Sequence, residues 1–88
     1  MSGGHFNYSQ HKLLEIAEEI GYLIGRSEDP SDFYGDLSSD TIYEFRNAIF
    51  ALKEAYAYVQ RIDWLVCADD SEETFHQRLK EDLLNIRL

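Results

Sequence analysis

Seventeen acidic residues against eight basic ones give this 88-residue chain a charge of −9 at neutral pH. With acids outnumbering the basic residues that would neutralise phosphates, direct nucleic-acid binding is not expected, and a basic protein surface becomes the natural partner. Hydrophobic residues at 44% and aromatics at 14% exclude a disordered chain, and the length suits a single domain with one modest core.

The first eight residues, MSGGHFNY, hold two glycines and read as an N-terminal arm. They lack the basic-then-apolar pattern of a secretion signal. A helix is expected to start near Asn7 to Ser9, either of which could cap it, and to run to about Ile24 or Gly25, with Gly25 as its stop. Leu13, Ile16, Ile20 and Leu23 recur at spacings of three, four and three, the mark of one buried stripe. Glu15, Glu18 and Glu19 take the wet side. Residues 27–40, SEDPSDFYGDLSSD, form an acidic loop with the only Pro, four Ser and five acids. Phe33, Tyr34 and Leu37 in its middle are expected to fold back and pin it.

The second helix is the long one. It is expected to begin near Ser39 to Thr41, where Thr41 and Glu44 have capping-box spacing, and to continue to about Ala68. That is roughly 28 residues, or ~42 Å. Ile42, Phe45, Ile49, Leu52, Tyr56, Val59, Asp63 and Val66 alternate spacings of three and four, a heptad-like seam in which Asp63 is the anomaly. Tyr43, Phe50, Ala57 and Trp64 fall seven apart on another face. A helix apolar on two sides must be covered on two sides, so the flanking helices should sandwich most of it. Any exposed remainder would suit a homodimer or a target contact.

A third helix is expected after Asp69-Asp70-Ser71, with Asp70 and Glu73 at capping spacing and Ser71, Glu72 and Glu73 at its positive end. Its apolar stripe is Phe75, Leu79, Leu83 and Ile86, and the short connection makes it antiparallel to the second helix. The expected fold is a single all-α domain spanning residues 1–88, a three-helix antiparallel bundle with a long central helix.

Catalytic signatures are lacking. Gly3-Gly4-His5 places its histidine out of register for an amino-terminal metal chelator. Glu73-x-x-His76 has di-iron spacing, but such sites need two copies and further carboxylates. Neither a metal nor a cofactor is expected, and no Gly-rich phosphate loop, nucleophile elbow or Cys/His pair is present. The single Cys67 excludes an intrachain disulfide and is expected to be a small buried residue. No apolar run reaches the ~18 residues of a membrane span. The alternative is a Mg-dependent enzyme. Glu15, Glu18 and Glu19 on one helix and Asp63 on another resemble the metal-binding helices of all-α nucleoside-triphosphate pyrophosphohydrolases. Those enzymes pair a Glu-rich helix with a Glu-x-x-Asp helix, and in this chain the second motif reads Gln60-x-x-Asp63 and lacks one carboxylate.

MSGGHFNY at one end and RIDWLVCADDSEETFHQRLKEDL near the other resemble a family of small uncharacterised bacteriophage and prophage proteins. That family has a similar Ser-Gly-Gly-His-Phe arm, Arg-Ile-Asp-Trp-Leu segment, acidic turn and Phe-His-x-Arg-Leu segment. The matching residues are His5, Phe6, Tyr8, Arg61, Asp63, Trp64, Asp69, Asp70, Glu73, Phe75, His76, Arg78 and Leu79. The resemblance implies a phage-encoded accessory protein in the bacterial cytosol. Small acidic proteins of that class commonly bind and block a host protein, which makes a non-enzymatic modulator the expectation, with a defence component among the candidate targets. The expected surface is the corner at residues 61–76 with the arm, where His5 and Phe6 would fold against Trp64 and His76. Asp63, a carboxylate in an apolar seam, is expected to be hydrogen-bonded by the arm or another helix.

Overall fold

The computed structural model describes residues 6–32, 35–67 and 70–87. They form an all-α three-helix bundle: α1 (His11–Arg26), α2 (Ser39–Val66) and α3 (Glu72–Arg87). The long central helix of 28 residues has the expected length. α1 and α3 both pack on α2, and among the described residues they do not pack on each other.

This arrangement makes the molecule thin. Its principal extents are 51 × 25 × 12 Å and its radius of gyration is 16.3 Å, against about 12 Å for a compact domain of this length. Among the described residues no large side chain is fully buried. The buried positions are Ala17 and Ala57, where helices approach closely, and the polar pair Gln10 and Asp63.

The start of α1 differs from the expected Asn7-to-Ser9 cap. Asn7 and Tyr8 take left-handed backbone angles, φ 55° and 61°, and close a turn in which the Ser9 amide donates to the Phe6 carbonyl. Asn tolerates that region, whereas Tyr does so at a cost. The chain therefore reaches helical geometry only at Gln10, the N-cap, whose side chain makes no capping bond. At the other end Gly25 does not stop the helix. α1 runs on to Arg26, and the Ser27 amide and hydroxyl, Oγ at 2.6 Å, both donate to the Ile24 carbonyl. The expected α1 stripe is also rotated: Ala17 faces α2, and Ile16 is left half-exposed.

Beyond α1, Arg26 pairs with Asp32 at 2.9 Å. The Ser31 hydroxyl and amide both donate to Asp29, which holds that carboxyl below its usual range. Gly35 lies so close to the Asp29 carbonyl that a Cβ there would collide with it. Leu37 is half-buried, while Phe33 and Tyr34 lie outside the described residues.

The caps of α2 and α3 fall on serines rather than on the expected Thr41–Glu44 and Asp70–Glu73 pairs. Ser38, extended at φ −71° and ψ 162°, accepts the Thr41 amide on its Oγ at 3.2 Å. Ser71 accepts the Thr74 amide at 3.1 Å. A serine hydroxyl reaches the third amide without strain, so the serine ahead of each acidic turn takes the position. α2 ends at Val66, short of Ala68, which lies with Asp69 outside the described residues. Cys67, expected to be buried, is exposed past the last turn. We expect Ser38→Ala and Ser71→Ala each to lower stability by about 1 kcal/mol, read as a fall in the thermal midpoint followed by circular dichroism.

Candidate functional site

Asp63 organises the region where the chain's start meets the end of α2. It is 3% exposed, on the flank of α2 that receives α1. Gln10 supplies the link between them. Its Nε2 amide donates to Gln60 Oε1 at 2.8 Å and to Asp63 Oδ2 at 3.4 Å. The Cys67 thiol faces Asp63 Oδ1 at 3.8 Å. The expectation that Asp63 is bonded by the arm or another helix is met by a residue at the junction of the two. Gln10 Oε1 is buried without a partner.

The aromatic residues of the same corner continue from that link. Tyr8 stacks on His11 with ring centroids 6.1 Å apart, and His11 meets Tyr56 of α2 at 5.6 Å. One turn beyond Tyr56, Arg61 grips Asp82 of α3 through Nε at 2.7 Å and Nη2 at 3.3 Å. This two-point pairing holds the guanidinium pKa above its ordinary value and fixes the plane of the group. Its carbon sits 4.7 Å from the centre of the Trp64 ring, an attractive cation–π distance. Arg61 Nη1 is buried and has no partner.

Between α2 and α3 lies an open groove of about 390 Å³, lined by Tyr56, Ala57, Gln60, Arg61 and Trp64 of α2 and by Asp82, Asn85 and Ile86 of α3. Phe50 and Tyr43 extend the Ala57–Trp64 line along α2 and are exposed at 39% and 63%. α3 ends before it reaches them. The second stripe is thus covered near Ala57 and open at its N-terminal half.

The residues expected at the site separate into two groups. Arg61 and Trp64 line the groove, Asp63 is tied through Gln10 to Gln60 of that lining, and Tyr8 reaches it through His11 and Tyr56. Phe6 is half-buried at the turn that starts this contact. His76 packs edge-on against Phe75 and lines a separate groove with Glu54, Leu79 and Leu83. Glu73 is exposed in the first turn of α3, and Asp70 is half-buried at its start. His5 and Asp69 lie outside the described residues.

The carboxylates of the enzyme alternative are differently placed. Glu15, Glu18 and Glu19 are exposed on α1 and Asp63 is enclosed against Gln10. Among the described residues no three His, Cys, Asp or Glu side chains form a group that could hold a metal ion. Nor is any helix among them long and apolar enough to cross a membrane.

No family model, curated protein or solved structure matches this chain.

Gln10, Gln60, Tyr56 and Asp82 complete the corner, a place that the sequence reading assigned to none of them, although it set Tyr56 in the α2 seam and Gln60 in the Gln60-x-x-Asp63 motif. Gln10 had a signal, since it stands three and seven residues before Leu13 and Ala17, on the packed side of α1. Replacing it leaves a carboxylate buried without that donor. Gln10→Ala should destabilise the fold by about 1–3 kcal/mol. A combined Gln10→Ala, Asp63→Ala variant should lose less than the sum of the single changes, measured by urea unfolding.

Proposed function

We propose that this chain is a non-enzymatic binding module, a phage-encoded accessory protein that docks on a basic surface of a bacterial host protein in the cytosol and blocks it. The observation that carries this reading is the α2–α3 groove. Trp64, Tyr56 and Arg61 are of the side-chain types that dominate binding energy at protein interfaces. Arg61 is held in place by Asp82, so little side-chain freedom remains to be lost on docking.

The charge adds the electrostatic part. A chain at −9 attracts a basic partner at long range and speeds encounter, an effect that salt screens. Exposed acids at Glu72 and Glu73 in the first turn of α3 add to that charge. The resemblance to phage proteins in the arm and the 61–76 segment falls on the elements that build this corner. A defence component is one host target of suitable character. The scattered placement of Glu15, Glu18, Glu19 and Asp63 weighs against the pyrophosphohydrolase alternative.

Capture from bacterial lysate on the immobilised chain, followed by titration with the purified captured protein, tests the proposal. One basic protein should be enriched, with an association rate that falls steeply with salt. Trp64→Ala should weaken its binding by about 2 kcal/mol or more, while Tyr22→Ala on the outer side of α1 should leave it unchanged. Turnover of nucleoside triphosphates with magnesium, abolished by Asp63→Ala, would refute the proposal.

A further inference from the structure

α2 carries a third apolar stripe. Ala48, Ala51, Ala55, Tyr58, Ile62 and Val66 follow one another at spacings of three and four. At 100° per residue they lie roughly 120° around the helix both from the residues that meet α1 and from those that meet α3. The stripe therefore runs along the convex side of the molecule, opposite the groove. Tyr58 is 46% exposed, Ile62 37% and Val66 52%. No Asp, Glu, Lys or Arg occurs among the six positions.

We propose that a second copy of this chain covers the stripe, giving a two-fold dimer in which α2 packs antiparallel against α2 of its partner. The thin shape leaves enough surface for an occupant of this size. A compact monomer of this mass exposes about 5,350 Å², whereas this chain exposes 6281 Å². The excess, roughly 900 Å², is close to the 800 Å² or so that each partner contributes to a standard interface. A single layer of helices also lacks the second layer around which domains form their core.

The order of residues along the stripe points to a second copy rather than another protein. The N-terminal half holds the small residues Ala48, Ala51 and Ala55, and the C-terminal half the large ones Tyr58, Ile62 and Val66. An antiparallel two-fold sets Ala48 opposite Val66, Ala51 opposite Ile62 and Ala55 opposite Tyr58. Each large side chain then meets an alanine on the other chain, and the surface is complementary to itself. Charge favours the same occupant. Two chains of −9 repel least where they meet through a charge-free strip, and a basic partner would find no acid among the six positions to pair with. The dimer does not depend on the host-binding proposal, since the groove lies on the other side of α2 and stays open. Two grooves per dimer would give any multivalent target an avidity gain.

Sedimentation equilibrium across the micromolar range tests the dimer. The chain should sediment at twice 10.3 kDa. Ala55→Arg should return it to the monomer mass with its helical circular dichroism retained, and Tyr43→Arg on the opposite face should leave the dimer intact. A folded wild-type chain at monomer mass throughout, or a dimer that survives Ala55→Arg, would overturn the proposal. Disulfide trapping fixes the geometry even where Ala55→Arg unfolds. In a Cys67→Ser background, Ala48→Cys and Val66→Cys chains should cross-link when mixed under mild oxidation, and neither should do so alone. Cross-linking of Ala48→Cys chains to themselves, or none in the mixture, would refute the antiparallel pairing.

Discussion

Everything in this fold is built against one helix. α1 and α3 each depend on α2 for their only helix–helix packing among the described residues, and α2 must satisfy both. That constraint accounts for the composition of α2, which is apolar around much of its circumference and keeps charge to a few positions. It also accounts for the shallow core: with the flanking helices apart, no side chain among the described residues is surrounded on all sides except where a small or polar group is squeezed between two helices. Ala17, Ala57 and the Gln10–Asp63 pair occupy those places.

The Gln10 amide bonds bring the beginning of the chain to α2 by a means that apolar packing does not offer. Apolar contacts along α1 and α2 would tolerate sliding by a turn. A buried carboxylate is less forgiving, because it loses hydrogen bonds when the register changes. Asp63 therefore reads as a residue that chooses one alignment of α1 on α2 among several of similar apolar burial. It does so beside the groove, so that the register and the placement of Tyr8, His11 and Tyr56 are set together.

The architecture was largely legible in the sequence, because three long periodic segments leave few alternatives. The length of α2, its antiparallel neighbours and the enclosed, hydrogen-bonded state of Asp63 follow from spacing and from the cost of burying an unpaired carboxylate. The caps were less legible, since Ser, Thr, Asp and Asn crowd each helix start and only geometry selects among them; Ser38 and Ser71 prevailed over their acidic neighbours. The α1 start was hidden by two left-handed residues, a conformation that Tyr8 does not advertise. Half of the candidate corner, Gln10, Gln60, Tyr56 and Asp82, joins it through contacts between distant segments, which spacing within one helix cannot reveal. The Phe-His-x-Arg-Leu resemblance assigns His76 to the corner, but a new helix begins between it and Trp64 and turns it to another groove.

The linear order of contacts, α1 to α2 to α3, has a bearing on how the molecule comes apart. In a closed bundle each helix is held by two others, and loosening one exposes the remainder. Here the outer helices can detach separately, as terminal units do in a repeat array, with α2 remaining paired on one side. α3 is held by Arg61–Asp82 and a short apolar line, and α1 by Ala17 and the Gln10 amide, so the two have separate opening equilibria. A ligand seated in the groove would bridge α2 and α3 alone, so it would raise the cost of detaching α3 and leave that of α1 as it was.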